Sequence, residues 1–101
     1  MKVDLTEGSE MGDRFRALAI AKVLAERARQ DEKWGQRNHG DIAWSVILGE
    51  EVGEACRAIL EEGDVEREVV QIAAVAVAWL EAIYRRQLRT RELQQQGEQH
   101  A

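Results

Sequence analysis

The sequence predicts an all-α protein, an antiparallel helical bundle that is completed by oligomerisation. The 101-residue chain contains no proline, its turn residues cluster in a few places, and sheet patterns are nearly absent. Between Val69 and Leu80 apolar residues lie nearly all the way round the expected helix, which must therefore be buried on most sides. Three helices from one short chain cannot enclose it, so we expect a homodimer or a dimer-of-dimers tetramer.

The length of the chain suits one small domain with a thin core, because such a domain buries only about two-thirds of its unfolded surface. We expect the all-α domain to span residues 12–92. Residues 1–11 are polar and lack periodicity, and residues 93–101 are polar and rich in glutamine. Both segments are therefore predicted to be flexible.

The first helix is predicted over residues 13–31, where apolar residues such as Leu18, Ala21 and Leu24 recur at helical spacing. Arginine and glutamate residues occupy its other side. Residues 32–40 contain two glycines and are predicted to form the main loop.

The second helix is predicted to begin at Asp41, whose carboxylate is expected to cap its N-terminus, and to run to residue 62. Gly63 then provides a stop and Asp64 a new N-cap. The third helix follows over residues 65–89. Trp44 and Trp79, on the second and third helices, are expected to lie mainly in the core.

The net charge of −5 argues against stable nucleic-acid binding, which depends on many phosphate contacts from lysine and arginine. Free nucleotides stay possible, because metal ions can carry their charge. The single cysteine, Cys56, is expected to be a small buried side chain. A single cysteine cannot form an internal disulfide, and no secretion signal is recognised, so we expect a cytoplasmic location. The longest apolar stretch is too short to cross a membrane.

Acidic residues on two of the predicted helices form the most informative pattern. Glu50, Glu51 and Glu54 share an arc roughly a quarter-turn wide on one helix face. Glu68 and Gln71 project together from the next helix, and antiparallel packing can bring both sets of oxygens to one point. Oxygen ligands on rigid helices suit Mg²⁺ or Mn²⁺.

The competing interpretation of these glutamates is a solvated helix surface, where like charges cost only a few tenths of a kcal/mol. Apolar residues such as Val52 and Ala55 flank the acidic face, however, so some of the carboxylates must lie near the side of the helix that packs in the core. Partly buried like charges about 4 Å apart repel by roughly 4 kcal/mol per pair at an effective dielectric of 20. Gln71, an amide in an apolar helix, also needs partners, so we favour a cation site.

These residues resemble those of a known family. The string Glu-Glu-Val-Gly-Glu at positions 50–54, followed by Glu-Val-Val-Gln at 68–71, is similar to the pattern of the MazG-like all-α nucleoside triphosphate pyrophosphohydrolases. That pattern is E-E-x-x-E, a spacer and E-x-x-D. The resemblance covers about residues 20–85.

The resemblance implies hydrolysis of a nucleoside triphosphate between its α and β phosphates, with Mg²⁺ as the cofactor and Mn²⁺ as a possible substitute. Glu51, Glu54 and Glu68 match the magnesium ligands of the family. Glu50 matches a glutamate that assists the attacking water or helps to hold a further ion. Gln71 stands where the family has aspartate, so one negative charge of the ligand set is missing.

The loop before the acidic helix supplies candidate substrate contacts. Related enzymes use a tryptophan and a histidine at comparable places, so Trp34 and His39 resemble base-pocket residues, although hydrophobic anchoring of the loop explains them equally well. Asn38 could contact a base edge or form a turn. Lys33 and Arg37 could contact the triphosphate or simply be solvated.

The end of the predicted third helix contains four arginines with no acidic residue between them. Because the helix dipole stabilises cations near a helix C-terminus, we expect the dipole to explain these arginines. Phosphate contact is the alternative explanation for the group Arg85, Arg86, Arg89 and Arg91.

Other functional classes are less compatible with the sequence. A Nudix hydrolase would need a longer glycine-glutamate signature and a sheet, and a di-iron bundle would need Glu-x-x-His pairs, which neither His39 nor His100 provides. The remaining alternative is a catalytically degenerate nucleotide-binding protein or a helical interaction protein, because Gln71 replaces the family aspartate.

Overall fold

The computed structural model describes the backbone of residues 5–99 and the side chains of residues 10–98. It contains the helices α1 (Leu5–Trp34), α2 (Asp41–Leu60) and α3 (Val65–Gln99). No strand occurs between residues 5 and 99. The predicted all-α fold class is therefore confirmed.

The first and last helices of the chain, α1 and α3, are both longer than their apolar periodicity predicts. α1 begins at Leu5 instead of residue 13, and α3 continues to Gln99 instead of ending near residue 89. Arginine, glutamate, leucine and glutamine dominate the last turns of α3, and these residues favour helix without needing an apolar face. Flexibility of residues 1–11 and 93–101 stays a prediction, and residues 1–4, 100 and 101 lie outside the described range.

The start of α2 differs from the prediction that Asp41 caps it. Gly40 is the N-cap, with an extended backbone and no side-chain cap bond. The Asp41 carboxylate instead accepts hydrogen bonds from Trp79 Nε1 at 2.9 Å and from Arg86 at 3.1 Å. Both bonds lower the pKa of Asp41. The side chain therefore fastens the beginning of α2 to α3.

The turn between α2 and α3 follows the prediction. The Asp64 carboxylate accepts a hydrogen bond of 3.1 Å from the backbone N–H of Arg67 and so caps α3. Glu62 adopts a left-handed backbone with φ 55°, and the Gly63 N–H donates to the Ala58 carbonyl at 2.7 Å. This short connection folds α3 back along α2.

α3 is the central helix, because both α1 and α2 pack against it, whereas within the described residues α1 and α2 do not pack against each other. Trp44 of α2 is only 1% exposed and fills the core against three small residues of α3, namely Val75, Ala78 and Ala82. Ile47, Leu48 and Trp79 lie partly buried around them. The predicted core positions of Trp44 and Trp79 are confirmed.

A polar network attaches α1 to α3. The buried Arg27 donates to both carboxylate oxygens of Glu81, at 2.8 and 3.0 Å, and to Asp31 at 3.0 Å. Gln30, also buried, accepts from Arg27 and Arg37. The α1–α3 contact therefore depends on ion pairing as well as on apolar packing.

Two expectations about side chains are wrong. Cys56 is exposed, because its position on α2 faces away from α3. The helix dipole does not explain the arginines from Arg85 to Arg91, because α3 continues to Gln99 and its last turn holds no basic residue.

None of the three helices, as far as the structure describes them, has an apolar stretch of the length that a membrane crossing needs.

Candidate metal centre

Three carboxylates from two helices converge at one end of the α2–α3 pair. Glu51, Glu54 and Glu68 each contribute one oxygen, and these oxygens lie within 4.8 Å of one another. Glu51 and Glu54 are neighbours on one face of α2, and Glu68 lies in the first turn of α3. They meet because the short turn folds α3 back along α2.

Gln71 joins this cluster through its amide. In the orientation that gives both amide atoms suitable partners, its nitrogen donates to Glu51 Oε2 at 3.2 Å and to Glu68 Oε2 at 3.1 Å. One neutral group thus bridges two carboxylates. Rotation of the amide by half a turn would present its oxygen to the same point, so Gln71 suits either an empty cluster or a bound cation.

The surroundings of Glu51 in the cluster disfavour the charged form of its carboxyl group. Burial raises the pKa of Glu51, and the charges of Glu54, Glu68 and Glu50 raise it further. Glu51 and Glu68 are half-buried, whereas Glu54 is exposed. A cation between these oxygens would reverse the effect by neutralising the repulsion.

Glu50 lies outside the group of three. It is exposed and adjoins Glu51 on α2, and none of its oxygens belongs to the convergent set. Its carboxylate is therefore available beside the cluster instead of within it.

Glu26 of α1 is a residue that sequence reasoning missed. Its negative charge contributes to the raised pKa of Glu51, so α1 brings a further carboxylate to the edge of the cluster. Arg29 donates to Glu26 at 2.7 Å and lowers the pKa of that carboxylate. A Glu–Arg pair three residues apart is typical of any solvated helix, so the sequence contains no signal for this role.

The end of α1 and the loop that follows it gather the candidate substrate contacts around two tryptophans; the loop is residues 35–40, shorter than the predicted 32–40, because α1 continues to Trp34. Lys33 Nζ lies 4.6 Å from the ring centre of Trp34, which is half-exposed. The Arg37 guanidinium lies 4.9 Å from the Trp34 ring and 5.1 Å from the Trp44 ring. His39 meets Trp44 edge to face, with ring centres 5.0 Å apart.

Asn38 holds this loop against α3. Its side-chain oxygen accepts from Arg85 Nε at 3.1 Å and from Gln36 at 3.3 Å. Arg85 also donates to the backbone carbonyl of Arg37 at 3.1 Å. These bonds support the structural interpretation of Asn38, and they give Arg85 a role in positioning the loop.

The atoms of the cluster define the chemistry that it can support. Three carboxylates and an amide offer oxygen ligands only, as Mg²⁺ and Mn²⁺ prefer, and they include no imidazole or thiolate for a softer metal. No family model, no curated protein and no solved structure matches the chain.

Proposed function

We propose that this protein is a Mg²⁺-dependent nucleoside triphosphate pyrophosphohydrolase, which cleaves a nucleoside or deoxynucleoside triphosphate between its α and β phosphates. The observation that carries the proposal is the convergence of Glu51, Glu54 and Glu68 within 4.8 Å. The resemblance of residues 50–54 and 68–71 to the MazG-like pattern gives the reaction. The products would be the nucleoside monophosphate and pyrophosphate.

The residues of the site would divide the work. Glu51, Glu54 and Glu68 would hold Mg²⁺, which when bound neutralises charge on the phosphates and on the leaving pyrophosphate. Glu50, exposed beside them, would orient a water molecule and accept its proton at the carboxylate. The water oxygen would bond to one of the two phosphorus atoms that flank the α–β bridging oxygen, as the bond from that phosphorus to the bridging oxygen breaks and pyrophosphate and the monophosphate separate.

A second candidate is a degenerate relative that binds nucleotide without turnover, or a helical interaction protein. The Gln71 amide favours this alternative, because it donates to Glu51 and Glu68 and so satisfies both carboxylates without a cation. The ligand set also has one negative charge fewer than the family pattern, which weakens attraction for Mg²⁺.

Product analysis separates these functions. The purified protein is given a panel of triphosphates with Mg²⁺ or Mn²⁺, and we expect release of pyrophosphate instead of phosphate. Glu51→Gln and Glu54→Gln should abolish release, whereas Glu92→Gln, an equal charge change at an exposed site on α3, should not. Saturable binding without turnover would indicate the degenerate relative, and no nucleotide or metal binding would indicate the interaction protein.

The shape of the chain supports the proposed homodimer or dimer of dimers. Its radius of gyration is 19.0 Å, whereas a compact domain of this length has about 13 Å. Its accessible surface is 8132 Å², against about 5,800 Å² for a folded monomer of this mass. The excess is large enough for an obligate subunit interface.

Exposed apolar side chains support a subunit interface on α1 and α3. They form stripes at helical spacing on α1 and on the second half of α3. The α1 stripe is Met11, Phe15 and Leu18, and the α3 stripe is Leu80, Tyr84 and Leu88. Patches of this kind on a soluble domain mark interaction surfaces.

A further inference from the structure

A cavity of about 320 Å³ lies between the α1–α2 loop and α3. Its walls include Arg37 of the loop, Trp44 of α2, and Ala78 and Arg85 of α3. Trp44 precedes Glu51 by seven residues, and Ala78 follows Gln71 by seven. At a helical rise of 1.5 Å per residue, the cavity is displaced from the acidic cluster by about 10 Å along both helices.

The charges around this cavity do not balance. Three guanidinium groups and two carboxylates line it, and Arg27 pairs with both carboxylates, those of Asp31 and Glu81. Among the side chains of residues 10–98, neither Arg37 nor Arg85 has a carboxylate at ion-pair distance. The cavity is therefore cationic in a protein whose net charge is −5.

Arg37 is the less satisfied of these two arginines. It is half-buried, and burial together with the charge of Arg27 lowers its pKa. A guanidinium has five N–H donors, and toward the side chains of residues 10–98 Arg37 uses one of them, in the bond to Gln30 at 3.3 Å. The guanidinium lies 4.9 Å from the Trp34 ring centre and 5.1 Å from the Trp44 ring centre, and contact with these rings limits the freedom it would lose on binding.

The same region contains a second unpaired donor. Trp44 Nε1 is buried and has no hydrogen-bond partner among the described residues. A buried donor without a partner costs free energy, but Trp44 is only 1% exposed, so a ligand would have to displace the cavity wall to reach it. The donors that face the cavity are therefore guanidinium groups, and the Trp44 side chain forms part of the wall beside them.

We propose that this cavity receives the nucleoside end of the substrate and that Arg37 recognises a carbonyl oxygen of the base. The inference rests on the proposed function, because a nucleotide whose phosphates bind at the acidic cluster would have to span this displacement of about 10 Å to put its base in the cavity. The volume is near the lower limit of small-ligand pockets, which is about 300 Å³. Trp44 is the aromatic part of the wall, beside which a planar base could lie with its acceptor atoms toward Arg37.

Base preference follows from the surplus of donors. Uracil presents two carbonyl oxygens, and guanine presents O6 and N7 to a guanidinium in a bidentate arrangement. Adenine has no carbonyl oxygen. Adenine offers only ring nitrogens as acceptors, and a guanidinium is expected to bind a carbonyl oxygen more tightly, so uridine and guanosine nucleotides should be modestly preferred over adenosine nucleotides.

The test measures binding of UMP, GMP and AMP to the full chain in the presence of Mg²⁺ by calorimetry. We expect UMP and GMP to bind about tenfold more tightly than AMP, as one charge-assisted hydrogen bond allows. Arg37→Ala should remove this preference and leave AMP binding unchanged. Arg91→Ala, an exposed arginine on α3 outside the cavity, should keep the preference.

Equal binding of the three monophosphates would overturn the inference, and this wild-type comparison does not depend on the folding of any variant. It would also be overturned if Arg37→Ala, with unchanged helicity by circular dichroism, kept the preference. Failure of the enzyme proposal has a different signature: preference for UMP and GMP without pyrophosphate release from any triphosphate. Equal pyrophosphate release from UTP, GTP and ATP, together with equal monophosphate binding, would retain the enzyme and refute the base pocket.

Discussion

Neutralising Glu51 should stabilise the metal-free protein, although the change removes a proposed ligand. Glu51→Gln keeps the shape of the side chain and an oxygen that can accept the Gln71 amide hydrogen bond. It removes the negative charge that lies nearest to the other carboxylates. Stability and metal binding should therefore change in opposite directions.

The magnitude follows from the geometry of the cluster. Two unit charges 4.8 Å apart repel by about 3.5 kcal/mol at an effective dielectric of 20, and by about 0.9 kcal/mol in water. Glu54 is exposed while Glu51 and Glu68 are half-buried, so each pair lies toward the aqueous limit. We expect Glu51→Gln to raise the free energy of unfolding by about 1–2 kcal/mol, or the Tm by roughly 5–10 °C.

Thermal denaturation followed by circular dichroism would measure this effect in EDTA and in Mg²⁺ or Mn²⁺. Metal should raise the Tm of the wild-type protein, because a ligand that binds only the folded state stabilises it by mass action. Glu51→Gln should lose most of this increase. Glu92→Gln, which changes the net charge equally on exposed α3, should match the wild type in both conditions.

The opposite outcome would refute the reasoning. If Glu51→Gln lowered the Tm in EDTA and kept the full response to Mg²⁺, its carboxylate would be neither repelled by its neighbours nor needed for the ion.

Four further results are expected. Because the pKa of Glu51 lies above its ordinary 4.5, the folded state keeps a proton that the unfolded state has lost, so the stability of the metal-free protein should fall as pH rises from 4.5 through the raised pKa. Urea titrations of wild type and Glu51→Gln at several pH values would show this slope only in the wild type. Arg27→Ala should lower the free energy of unfolding by about 1.5–3 kcal/mol, less than for a fully buried pair because the Glu81 side chain is 40% exposed; urea denaturation tests this. Gln71→Asp should tighten Mn²⁺ binding by about tenfold in calorimetry, since it restores the missing charge, and unchanged affinity would place Gln71 outside the ligand set. Tyr84→Asp should yield monomers in sedimentation velocity, because it puts a charge in the α3 stripe, and an unchanged sedimentation coefficient would exclude that stripe from the interface.

Local patterns predicted much of the fold. Spacing of apolar residues indicated three helices, and the stop at Gly63 with a cap at Asp64 agrees with the turn that folds α3 back along α2. The spacing of Glu51, Glu54 and Glu68 also indicated that their carboxylates would meet, as they do. The helices, the cap and the pairing of Glu51 with Glu54 depend on residues a few positions apart, whereas Glu68 joins them because the short turn folds α3 back along α2.

Features that depend on distant pairs could not be predicted. Asp41 was expected to cap α2, but its carboxylate contacts Trp79 and Arg86, which follow it by 38 and 45 residues. Cys56 was expected to be buried, and its exposure is decided by which face of α2 meets α3. The approach of Glu26 to the acidic cluster likewise depends on the position of α1.

The sequence by itself determined three helices, the turn between α2 and α3, and an acidic face on each of these two helices. Only the tertiary structure decided that Arg27 pairs with Glu81 across 54 residues and that two tryptophans contact Arg37. Helix formation follows from interactions three or four residues apart. The pairing of helix faces instead depends on the relative rotation and register of whole helices, which no local spacing specifies.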